Sequence, residues 1–70
     1  MAEHALAAEL TAQDVELLSP LAAGLPMESV ARRVNASERT VRRRVRAICD
    51  RLGCATTIQA VVRATRQGLV

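Results

Sequence analysis

The sequence predicts an all-α fold of four helices, and three observations carry that expectation. Half of the 70 residues are apolar yet none is aromatic, so the core must be built from Ala, Leu, Val and Ile. Such residues suit close-packed helices better than a sandwich of sheets. The apolar positions recur three and four apart, the spacing of one helix face. Capping residues precede these stretches, and Gly or Asn follows them. A chain this short buries only about 60% of the surface its unfolded form exposes, so it holds one domain and a small core.

Residues 1–9 are Ala-rich with no clear partner face and read as a tail or a short frayed helix, leaving 10–70 as the folded domain. Thr11 can cap the first helix, and Asp14 sits in its first turn, where the dipole favours an acid. Leu10 and Val15 are spaced for a hydrophobic staple. The apolar stripe reads Val15, Leu18, Ala22, with Leu21 beside it, and Gly24 is the natural stop. Pro20 breaks this pattern: it removes one helical hydrogen bond and should kink the helix or end it early. The second helix is expected from Pro26, at the first helical position, to Val34, with Val30, Ala31 and Val34 as its stripe. Asn35 tolerates the left-handed backbone that closes it.

Ser37 caps the third helix, with Glu38 beside it, and the helix should run to Leu52 and stop at Gly53. Val41, Val45, Ile48 and Leu52 are spaced i, i+4, i+7, i+11, a narrow inward stripe. Arg39, Arg42, Arg43 and Arg46 fall on the other side, and Arg44 and Arg51 near the stripe's edge. Four guanidinium groups on two turns repel one another, a cost that a merely solvated face rarely carries. In the last helix Thr56 and Gln59 have capping-box spacing. Ile58, Val61, Val62 and Thr65 line one side, Ala60 and Ala64 another, and Gly68 ends it. Two apolar faces on one short helix suggest two neighbours: the core and a second subunit.

The charge is as uneven as the hydropathy. All ten basic residues are Arg, and the net charge is +3. Residues 1–31 carry five acids and no Arg, a charge of −5, whereas residues 32–70 carry ten Arg against Glu38 and Asp50, a charge of +8. That asymmetry points to a polyanion, nucleic acid before an anionic membrane. No apolar run approaches the 18 or so residues that cross a bilayer, and no signal peptide is evident, so the expected compartment is the cytoplasm, at the nucleoid. A zinc site needs about four ligands at known spacings. Cys49 and Cys54 have no second pair, and the one His, His4, is in the tail, so neither metal nor cofactor is expected. The cysteines read as small hydrophobes. Catalysis needs positioned groups in a pocket, and no such pair or phosphate loop occurs.

A short helix, a tight turn at Asn35 and Ala36, and a longer helix with a polar outer face make a helix-turn-helix, so the fold class is a four-helix helix-turn-helix DNA-binding domain. In that motif the second of the two helices enters the major groove. Arginine suits the task, because its fork donates two hydrogen bonds to the O6 and N7 of guanine or pairs with phosphate. Ser37, Thr40 and the free N–H groups at the start of the third helix can hold a phosphate.

The chain resembles the LuxR-type (GerE-like) helix-turn-helix domain of bacterial transcription regulators, from Leu10 to Val70. Leu10, Thr11, Asp14 and Glu16 match the family's opening. Leu18, Leu21, Ala22, Gly24 and Leu25 match its L-x-x-L-A-x-G-L run. Val30, Ala31 and Val34 precede the turn, and Ser37, Thr40 and Val41 form the S-x-x-T-V core of the recognition helix. Ile48, Arg51, Leu52 and Gly53 are similar to I-x-x-K-L-G, and Gln59, Ala60, Ala64, Gly68 and Leu69 complete the pattern. Departures are Arg44 where His is frequent, Pro26 where a polar cap is, Thr57 where Arg is, and Pro20 in the first helix.

The resemblance implies base contacts from Arg39, Arg42, Arg43 and Arg46, and pairing of two domains through Ile58, Val62 and Thr65. Phosphate contacts are expected from Ser37, Thr40, Arg44 and Arg51. The implied partners are double-stranded DNA, a second copy on that DNA, and RNA polymerase. Most members carry an upstream receiver or ligand-binding sensor; nothing of that kind fits before Leu10, so the chain reads as an output domain or a stand-alone regulator. The competing readings are a sigma-factor-like DNA-binding domain and an adaptor whose arginine helix meets an acidic protein.

Overall fold

A computed structural model describes residues 10–70; the tail expected over 1–9, with His4, lies outside the described residues. Those residues form four helices and no strand: α1 (Ala12–Ala22), α2 (Met27–Arg33), α3 (Glu38–Leu52) and α4 (Thr57–Arg66). α3 packs against all three others and α1 also against α2 and α4, while α2 and α4 do not touch. The longest helix is thus the axle of the domain.

Local chemistry explains each start. The Thr11 hydroxyl accepts from the Asp14 N–H at 3.1 Å, and the Asp14 carboxylate accepts from the Thr11 N–H at 3.0 Å, a complete capping box. Ser37 accepts from the Thr40 N–H at 3.1 Å, and Thr56 from the Gln59 N–H at 3.2 Å. The last start is only half a box, because the Gln59 carboxamide accepts from Ala55, one residue further back than the pattern suggests. Pro26 occupies the cap of α2 rather than its first turn. Its ψ of 162° is extended, which suits a cap, and it has no N–H to leave unpaired.

The ends share one device. After each helix an N–H reaches back five residues and the one before it reaches back three: Leu25 to Pro20 and Gly24 to Leu21, Ala36 to Ala31 and Asn35 to Arg32, Cys54 to Cys49 and Gly53 to Asp50, Leu69 to Ala64 and Gly68 to Thr65. This paired closure needs a left-handed residue in the middle. Gly53 provides it after α3 at φ 70°, and Asn35 provides it in the turn between α2 and α3 at φ 55°. The five-residue spacing of Cys49 and Cys54 is therefore the spacing of a helix closure. Both thiols are free and buried.

Pro20 neither ends α1 nor sits at its edge: the helix continues through it to Ala22. The hydrogen bond it forfeits would have gone to Glu16, an exposed residue, so water can satisfy that carbonyl. Its ring is buried instead. The inward face of α1 also differs from the expected stripe. Leu17 and Leu18 are buried, Val15 is half-buried and Ala22 is exposed. Leu10 packs on the core. Leu17 lies about 200° from Val15 around the helix, so the buried face is turned away from Val15 and toward Leu17.

On α3 the inward stripe is as expected. Val41, Val45, Ile48 and Leu52 are buried, joined by Cys49, and they meet Leu17, Leu18, Val30, Ala31, Ala60 and Ala64. On α4 the core face is the small pair Ala60 and Ala64, which lets the backbone of α4 approach closely. The core among the described residues holds no polar side chain.

Two substitutions test this packing. Ile48→Val, which removes one methyl from a fully buried site, should cost about 0.5–1.5 kcal/mol in urea unfolding. Gly53→Ala should cost about 1–2 kcal/mol although a Cβ there meets open space, because the left-handed backbone alone opposes it. Equal stability of Gly53→Ala and the parent would contradict the closure.

Candidate nucleic-acid interface

The turn between α2 and α3 sets the geometry of the charged face. Val34 closes α2, Asn35 takes the left-handed conformation, Ala36 is half-buried and Ser37 caps α3. With five buried residues holding α3 inward, Arg39, Arg42, Arg43, Arg44 and Arg46 are all exposed. The structure thus brings the expected base-reading residues onto one solvent-facing arc, with Arg44 displaced to its side.

Three interactions made by α3 go beyond what its spacing predicts. Arg42 donates to the Glu38 carboxylate at 2.8 Å, an exposed pair one turn apart. The i, i+4 spacing of Glu38 and Arg42 suits this pair as well as the helix dipole. Arg51 donates to the Asp14 carboxylate at 2.7 Å, across 37 positions of sequence. Nothing local marks that pair; it exists because α1 and α3 pack side by side. Arg63 on α4 donates to the backbone carbonyl of Leu52 at the end of α3.

Asp14 is accordingly the most constrained acid of the domain, its side chain 14% exposed. Burial pushes its carboxyl up, but the Thr11 backbone N–H, the Arg51 guanidinium and the Thr11 side chain together outweigh burial and hold it below its ordinary value of 3.8.

At the start of α3, Ser37 donates its hydroxyl proton to the Thr40 hydroxyl at 2.9 Å while accepting from the Thr40 N–H. Thr40 keeps its own hydroxyl proton to donate elsewhere. On the opposite flank an open groove runs between Arg42, Arg46 and Asp50 of α3 and the starts of α2 and α4, at Met27 and Thr57. Burial pushes the Cys49 thiol at its floor up from its ordinary value, with the charges of Cys54 and Asp50 adding to it. At neutral pH that thiol stays protonated, which suits a packing residue better than a nucleophile.

The expected pairing residues lie elsewhere, on α4. Ile58 is 74% exposed and Val62 42% exposed, the two large hydrophobics left in solvent among the described residues. Thr65 is exposed beside them, its hydroxyl donating to the Val61 carbonyl at 2.8 Å. No helix among the described residues is long and apolar enough to cross a membrane.

Residues 8–64 match the family described as GerE, bacterial regulatory proteins, luxR family. No curated protein sequence and no solved structure matches the chain.

The lowered Asp14 carboxyl has a signed consequence. A depressed carboxyl contributes stability that is present above its unfolded value and disappears as pH falls through the folded one. Wild type should therefore lose stability on acidification below about pH 4 more steeply than Asp14→Asn. Parallel pH profiles in thermal unfolding would show that ionisation of Asp14 contributes nothing.

Proposed function

The chain belongs to the luxR family of bacterial regulatory proteins and is a helix-turn-helix DNA-binding domain of a transcription regulator, not an enzyme; from that premise we propose how it reads DNA. α3 lies in the major groove of duplex DNA, with Arg39, Arg42, Arg43 and Arg46 toward base edges. The observation that supports this is their common exposure on one arc of α3, opposite its buried seam. Each is long enough and has the donor fork to bind guanine on two atoms.

Ser37, Thr40, Arg44 and Arg51 serve the backbone in this reading. The Thr40 hydroxyl proton and the guanidinium groups of Arg44 and Arg51 can each meet a phosphate oxygen. Asp14 then acts as a tether that keeps Arg51 extended along the α1–α3 seam. The unit proposed to do this spans residues 10–70, in the cytoplasm at the nucleoid, where its target lies.

A second copy pairs through Ile58, Val62 and Thr65. A face carrying Ile58 three-quarters exposed is costly in water, and a small apolar patch with a polar rim is what a modest interface offers. Two-fold pairing puts two recognition helices about one helical turn of DNA apart, so the target is a palindrome. RNA polymerase is the further partner that a transcription regulator bound upstream would meet.

These roles separate experimentally. Binding to a duplex selected from a random library should weaken steeply with salt, since each neutralised phosphate releases counterions. Arg43→Ala should lose about 1–3 kcal/mol on the selected duplex and discriminate less against a scrambled one. Unchanged discrimination would remove Arg43 from the reading face, and no retardation of any duplex at low salt would favour an acidic protein partner instead. Ile58→Asp should leave binding to a single half-site intact and weaken binding to the palindrome; equal losses on both would exclude pairing through α4.

A further inference from the structure

The recognition helix and α4 are joined by the short segment 53–56 and pack on a shared apolar core, which is non-directional. One side chain adds a directional contact between them. Arg63 reaches across from α4, and its Nη1 donates to the carbonyl of Leu52, the last residue of α3, in a partly buried position.

The acceptor is chemically suited to the donor. The last four carbonyls of a helix lack helical partners. In α3 the Cys49 and Asp50 carbonyls are taken by the N–H groups of Cys54 and Gly53, and the Leu52 carbonyl is taken by Arg63. It lies at the negative end of the helix dipole, where a cation is favoured, and the bond is charge-assisted. At 100° per residue Arg63 falls between the buried Ala60–Ala64 face and the exposed Ile58–Val62 face. It lines the shallow hollow that Ile58, Val62 and Arg66 border.

We infer that Arg63 is a positioning residue: it fixes the angle between the face of α4 that receives a second copy and the axis of α3, so that pairing dictates how two recognition helices are spaced on DNA. The inference rests on the pairing through α4 proposed above and goes beyond it, because pairing alone does not say what transmits its geometry. Arg63 touches no DNA in this account. Its effect is on the relation between two half-sites, while reading within each belongs to α3.

The test uses the full chain and duplexes carrying one selected half-site, or two at separations stepped by one base pair. Wild type should prefer one separation over its neighbours by about tenfold. Arg63→Met keeps the stem but has no donor. It should bind the single half-site within about twofold of wild type and lose most of the separation preference. Arg63→Lys, which can still donate to the carbonyl, should recover part of it. Should Arg63→Met not fold, Arg63→Gln, with a neutral donor, takes its place, and thermal unfolding of each variant checks the fold. A separation preference retained in full by a folded variant that cannot reach the Leu52 carbonyl overturns the inference, as does a single half-site loss equal to the loss on the palindrome. A wild type indifferent to separation overturns the pairing itself and the coupling with it.

Discussion

The direction in which α3 presents its arginines is decided by a narrow aliphatic seam. Val41, Val45, Ile48 and Leu52 are all buried against the other three helices. Five arginines between Arg39 and Arg46 would destabilise an isolated helix by mutual repulsion, and only Glu38 and Asp50 offset it within the helix. Burial on the inner side holds the helix together despite that repulsion. The same burial leaves rotation about the helix axis no freedom, so the outer arc is fixed as a surface rather than as a set of independent side chains.

The rest of the architecture serves that seam. Small residues on α4 let it lie close to α3, and the paired closure after every helix satisfies carbonyls that would otherwise face an apolar core. Cys49 and Cys54 belong to that closure. With no aromatic residue to fill volume, the chain relies on close approach of backbones and on well-made helix ends. This is consistent with a small core in which each terminus carries a large share of the order.

How much of this could be read in the sequence follows from the range of each interaction. The limits of α3, its cap at Ser37 and its stop at Gly53 were legible because caps and closures are local. So was the inward stripe of α3, whose spacing has no competitor. On α1 Leu18 was legible, but the burial of Leu17 and the exposure of Ala22 depend on which neighbours the helix meets. Pro20 did not end α1 before Ala22, because the carbonyl it leaves unpaired belongs to Glu16, which faces water. In the candidate interface the arginine arc was legible from helical geometry. Arg51–Asp14 and Arg63–Leu52 were not, because they join residues brought together by packing alone.

The central claim is that the outer arc of α3 is the surface that meets duplex DNA, and chemical-shift mapping of the ¹⁵N-labelled chain during titration with the selected duplex tests it most directly. The account predicts the largest shifts at the side-chain Nε–H groups of Arg39, Arg42, Arg43 and Arg46 and at the amides of Ser37 and Thr40, with Ala60 and Ala64 unmoved. Shifts concentrated on α1, with the α3 arginines unchanged, would contradict it.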